Sequence, residues 1–100
     1  MNGAELITAE RQRQIDVEGW TAQHDDGHSR GELAQVAEHY IDVAEVQRAG
    51  LSDWKRIPFG WPWDEEWWKP SDDPTRNLVK AGALIAAEID RLQRKRKDNE

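Results

Sequence analysis

The feature that most constrains this chain is its tryptophan run. Of six tryptophans in 100 residues, five (Trp54, Trp61, Trp63, Trp67 and Trp68) fall within fifteen consecutive positions. Pro58, Gly60, Pro62 and Pro70 interrupt the run, so it does not form one continuous helix. Each indole brings a large apolar face and a single N–H donor that needs an acceptor when buried. Such a segment either wraps a small core or forms the wall of a site for a flat ligand. The rest of the sequence must decide between these two uses.

One hundred residues correspond to a single domain over 1–100 with one modest core. The composition is polar, 34% charged against 37% hydrophobic, so the indoles carry an unusual share of the apolar area. The net charge is −6 and unevenly placed: residues 1–50 hold 10 acids against 4 bases, and residues 51–100 hold 10 of each. An acidic half argues against nucleic acid as a partner, which rewards a basic face through counterion release. There is no cysteine, which excludes disulfides and thiolate metal sites. No apolar run approaches membrane-spanning length and no signal-like segment opens the chain, so a cytoplasmic protein without a membrane partner is expected.

Apolar spacing predicts an all-α fold of three helices, with a long Trp-rich loop (51–72) between the second and third. The first helix is expected over 5–17, from Glu5 to Val17, ending near Gly19. Its apolar residues are sparse. Ile7, Arg11, Gln14 and Ile15 share one face, so Arg11 either snorkels over the core or points with Gln14 into a polar pocket. The segment from Gln23 to Gly31 reads as a polar loop. The second helix is expected over 30–49, opened by a Ser29–Glu32 capping box, carrying Leu33, Val36, Ala37, Tyr40, Ile41 and Ala44 on one face, and stopped by Gly50. A turn of helix is expected at Asp64–Trp68. The third helix is expected over 74–96, with Asp73 as its cap and Pro74 in its first turn. Leu78, Ala81, Gly82, Ile85, Ile89 and Leu92 form its apolar stripe. Gly82 costs roughly 1 kcal/mol in a helix and so points to close packing there. Arg94–Lys97 read as a solvated tail.

His24, Asp25, Asp26 and His28 are the densest set of possible metal ligands, but one loop rarely completes a site, and the helical His-Glu-x-x-His pattern is missing. No metal and no cofactor are therefore expected. Asp25 or Asp26 is expected to cap a turn or to pair with a base of the last helix. No nucleophile elbow and no phosphate-binding glycine loop is present, so no catalytic residue is assigned and a non-enzyme is expected. The start of the third helix offers unpaired N–H groups, with Lys69 just before it and Arg76 and Lys80 one turn apart. Together they could hold a phosphate or carboxylate. Trp67 and Trp68 lie immediately upstream, in position to stack on an aromatic ring. The plainer alternative is that these bases are surface charges and the indoles are core.

The series Glu10-Arg11, Gln14, Glu18-Gly19-Trp20-Thr21, His24-Asp25-Asp26, Trp61-Pro62-Trp63-Asp64, Trp67-Trp68-Lys69-Pro70 and Arg76-Asn77-Leu78-Val79-Lys80 resembles a family of small phage and prophage proteins. That resemblance implies action inside an infected bacterial cell and no particular activity. The order Glu18-Gly19-Trp20-Thr21, Asp26, Lys69, Asp73, Arg76, Val79 is similar to the ryanodine-receptor-type repeat domain, a small, mainly helical module. This second resemblance implies that Trp20, Asp26, Lys69 and Arg76 line one cleft for a nucleotide-derived signal.

The expected function is non-enzymatic binding of a small anionic aromatic ligand, a nucleotide or an ADP-ribose-like messenger of host immunity. Trp63, Trp67 and Trp68 would stack on it and Lys69, Arg76 and Lys80 would hold its anion. Arg11, Gln14, Trp20, His24 and Asp26 would form the opposite wall. The alternative is a protein-interaction module working through the Trp-rich loop. A homo-oligomer is compatible with either.

Overall fold

Helix α1 begins because Asn2 and Glu5 cap it reciprocally: the Glu5 N–H donates to Asn2 Oδ1 (2.9 Å) and the Asn2 N–H to Glu5 Oε1 (3.0 Å). A computed structural model describes residues 1–98 of the chain, and the last two positions of the expected 1–100 domain lie outside the described residues. It is all-helical, with α1 over Gly3–Asp16, α2 over Ala22–Asp26, α3 over Glu32–Arg48 and α4 over Pro74–Asp98. A single 3-10 turn, Glu65–Trp67, lies in the long connection between α3 and α4. The expected three helices are therefore α1, α3 and α4. The short α2 is an addition within the segment read as a loop.

Of three expected helix ends, one differs and two hold. Ser29 does not cap α3; Gly31, at φ +83, occupies the cap position, and the Glu32 carboxylate turns back to accept the Arg30 N–H (2.5 Å). A left-handed glycine reaches this geometry without the strain a side chain would bring. Gly50 stops α3 as expected: its own N–H donates to the Gln47 carbonyl (3.0 Å) and that of Leu51 to Val46 (3.1 Å). Asp73 caps α4 through the Thr75 N–H (3.0 Å).

Helices α1, α2 and α3 all pack on α4. The core joins Leu33, Val36, Ala37, Tyr40 and Val43 of α3 to Ala81, Leu84 and Ala87 of α4, with Trp68 inserted from the loop. Here the expected stripe of α4 is corrected. Ala81 is buried, but Leu78, Ile85, Ile89 and Leu92 are 49, 41, 50 and 49% exposed, while Val79, Ala83, Leu84 and Ala87 are buried. The helix is apolar on two sides, and its alanine side turns inward because short side chains admit α3 closely. Gly82 serves the close approach expected of it, since a Cβ there would lie 2.6 Å from Ile7 Cδ1 of α1.

The underside of α1 is polar. Its buried residues are Glu10 and Gln14. Glu10 accepts from Arg13 (2.8 and 2.9 Å), from Arg76 of α4 (2.5 Å) and from Gln14 (3.3 Å). Burial pushes the Glu10 carboxyl up, but the hydrogen bonds and charges of Arg13 and Arg76 outweigh burial and hold it below its ordinary value. Glu10 is the buried member of this junction, whereas Arg13 and Arg76 are each about a third or more exposed and Arg13 also pairs with Glu18, so water screens the two cations.

The irregular segment is pinned at both ends of its tryptophan run. The Trp68 indole donates to the Lys55 carbonyl (3.0 Å), and Tyr40 Oη accepts the Lys69 N–H (3.2 Å). Asn77, fully buried, accepts the Ser71 N–H (2.8 Å) and donates to the Ser71 carbonyl (2.9 Å) and to Gln47 Oε1 (3.0 Å). A buried amide with its bonds filled in this way fixes where the loop meets α4.

Candidate functional site

Gly19, at φ +76, turns the chain after α1 so that the Trp20 N–H donates to the Gln14 carbonyl (3.0 Å). Thr21 then caps α2 by accepting the His24 N–H (3.3 Å). This capped turn places Asp25 in the interior, where it is fully buried. Arg11 donates to Asp25 Oδ2 (2.7 Å) and to the Trp20 carbonyl (3.3 Å), so α1 holds α2 in place. The other oxygen, Asp25 Oδ1, lies 3.0 Å from His24 Nδ1. Two residues beyond α2, His28 Nδ1 lies 3.3 Å from Glu32 Oε2. The two Nε2 atoms of His24 and His28 face one another at 3.4 Å. Burial pushes the Glu32 carboxyl up, but the N–H groups of Glu32 and Arg30 and the His28 ring hold it below its ordinary value.

The indoles close around this histidine pair. Trp20 lies parallel to His24 (centroids 5.8 Å apart, planes at 3°), and Trp63 meets Trp20 edge-on at 5.5 Å. Trp63 also packs 5.0 Å from His28, and Trp67 lies 6.0 Å from Trp20. Together with Pro62 and Asp64 these rings line an open cleft of about 420 Å³. That lies within the usual span of small-molecule sites, about 300–1,000 Å³. The rings continue inward from the cleft: Trp63 meets Trp61 (5.9 Å), Trp61 meets Trp68 (5.0 Å), and Trp68 meets Tyr40 (5.0 Å).

The structure brings Trp20, His24, Trp63 and Trp67 to this cleft, with Arg11 behind them. Gln14, Lys69 and Lys80 line a narrow neighbouring crevice of about 30 Å³, together with Glu10, Glu18 and Tyr40. Three other residues expected at the site lie elsewhere. Trp68 is buried in the core against Tyr40. Arg76 is turned to Glu10. Asp26 pairs with Arg94 (2.7 Å), which also donates to the Ala22 carbonyl (3.1 Å), so Arg94 anchors α2 to α4 rather than belonging to a solvated tail. The expected pairing of the acidic segment with a base of the last helix is thus present at Asp26.

The cations expected to form an anion site are largely engaged. Lys80 donates to the Lys69 carbonyl (2.6 Å), and burial holds its amine below the ordinary value. Lys69 lies 3.6 Å from Glu18 and 5.1 Å from the Trp67 ring centre, and it is more than half exposed. It remains the cation best able to turn to a ligand on Trp67.

His28 lines the cleft, and Asp25 and Glu32 back the two rings; the sequence offers Asp25 and His28 only as candidate metal ligands and does not offer Glu32. No helical spacing signals this, because α2 ends at Asp26, His28 lies in the connection and Glu32 opens α3. Among the described residues no group of three or more His, Cys, Asp or Glu is arranged to hold a metal ion, and no helix is long and apolar enough to cross a membrane. Comparison with family models, curated proteins and solved structures gives no match.

Proposed function

We propose that the chain is a binding protein for a small, flat, anionic ligand, held in the cleft between Trp20, Trp63 and Trp67. The observation that carries this reading is the set of three indoles and two imidazoles lining one open cavity, a surface suited to stacking on an aromatic ring. His24 and His28 offer polar edges to such a ligand, and Lys69 supplies the charge beside Trp67. A nucleotide or ADP-ribose-like molecule has both parts. The resemblance to small phage proteins makes a nucleotide-derived messenger of host immunity the ligand class to try first, with sequestration as the role. No nucleophile, acid–base pair or metal is required by this reading, which is non-enzymatic.

The test is a titration of the protein with AMP, ADP, cyclic nucleotides and ADP-ribose, following tryptophan fluorescence. A saturable change with at least one of them, lost in Trp67→Ala, is the expected result. A flat response to every member up to millimolar concentration ends the reading.

A second reading rests on a different observation. Phe59, at the tip of the loop, is fully exposed, with Ile57 partly exposed beside it. A wholly exposed phenylalanine next to a groove lined by Trp54, Pro58 and Val46 is suited to docking on another protein.

A further inference from the structure

The histidine pair has a property that stacking does not use. An ionised carboxylate only accepts hydrogen bonds. With Asp25 Oδ1 at 3.0 Å from His24 Nδ1 and Glu32 Oε2 at 3.3 Å from His28 Nδ1, the neutral form in which each ring donates to its carboxylate is the Nδ1–H tautomer. Both Nε2 atoms then present lone pairs, and they face each other at 3.4 Å. Two lone pairs at that separation repel unless a positive centre lies between them. Imidazole nitrogens bind zinc at about 2.0–2.1 Å, so two of them in a tetrahedral shell lie about 3.3–3.4 Å apart. The pair is spaced as two ligands of one ion. Each ring is also backed by a carboxylate, the arrangement that fixes the tautomer and strengthens a histidine as a ligand.

We propose that His24 and His28 form a two-histidine site for a borderline divalent transition-metal ion of the zinc, nickel or copper class, with water completing the shell. The side chains are 32 and 24% exposed, so an ion reaches them from the cleft. Imidazole suits these metals better than magnesium or calcium, which take oxygen ligands. Because no third His, Cys, Asp or Glu joins the pair among the described residues, the shell stays open, unlike a closed structural zinc site. The proposal does not depend on the nucleotide reading, because its probe is the metal alone.

The experiment titrates untagged protein with Ni²⁺ and with Zn²⁺, by tryptophan fluorescence and by calorimetry. Trp20 and Trp63 lie against the two rings, so saturable quenching by Ni²⁺ at one ion per chain is expected. His24→Ala and His28→Ala each weaken binding at least tenfold, while His39→Ala, remote from the pair, leaves it unchanged. Glu32→Gln weakens binding without changing the stoichiometry. Circular dichroism checks each variant, and His28→Gln gives the reading if His24→Ala does not fold. Absence of saturable binding up to millimolar metal overturns the proposal, as does equal binding by wild type and both histidine variants.

Discussion

Trp68 and Trp67 are adjacent in sequence and have opposite fates. Trp68, with Trp61, is built into the fold: its ring lies on Tyr40, and both indole N–H groups have acceptors, the Lys55 carbonyl for Trp68 and the Asp64 carbonyl for Trp61 (3.1 Å). Trp67, with Trp20 and Trp63, lines an open cleft against two histidines, and the buried Trp63 Nε1 has no acceptor. The 3-10 turn at Glu65–Trp67 separates the two groups by turning neighbouring side chains to different sides. One aromatic run therefore does both things its composition allows: Trp61 and Trp68 wrap the core, and Trp63 and Trp67, which lie between them in sequence, wall a site. The edge-to-face contact of Trp61 with Trp63 connects the two groups.

Breaking the packed group has the largest expected effect. Trp68→Ala removes a buried indole from the core, and chemical denaturation should show a loss of about 3–5 kcal/mol. Breaking the polar junction under α1 comes next: Glu10→Ala removes the shared acceptor of Arg13 and Arg76, both partly solvated, and should cost about 1–2 kcal/mol. The same carboxylate predicts an acid dependence. Its folded value lies below its ordinary value of 4.5, so its contribution is fully present above that pH and is lost as pH falls through the lower, folded value. Wild-type stability should therefore drop below about pH 4.5, and Glu10→Gln should flatten that part of the curve. In the cleft group, Trp67→Ala should change stability by about 1 kcal/mol or less, yet abolish the fluorescence response to ligand. At the loop tip, Phe59→Ser should lie within about 0.5 kcal/mol of wild type and leave the cleft intact. A cleft variant as damaging as Trp68→Ala would erase the distinction between the two groups.

The frame was legible where local chemistry is strong. Asp73–Pro74 marked the start of α4, Gly50 the end of α3, and the apolar face of α3 its contribution to the core. Gly82 was legible as a close approach because glycine has few other reasons to sit in a helix interior. The orientation of α4 was not. Leu78, Ile85, Ile89 and Leu92 make the stronger apolar pattern, but tertiary packing favours the alanine side, where α3 comes close. Helix α2 was hidden because its five residues carry no apolar period, and only the Thr21 cap announces it. At the site, the indoles and His24 were legible by type. The roles of Asp25 and Asp26 were not, because adjacent aspartates on a helical turn point to different sides: one into the interior under His24, the other across to Arg94.

The most direct test of the division between packed and cleft tryptophans is a ¹⁵N-edited NMR spectrum of the six indole N–H groups, assigned by single substitutions and followed through the nucleotide titration. The signals of Trp20, Trp63 and Trp67 should shift together with one saturation curve, while those of Trp61 and Trp68 stay in place. Signals that never move, or movement that begins at Trp61 and Trp68, would contradict the account.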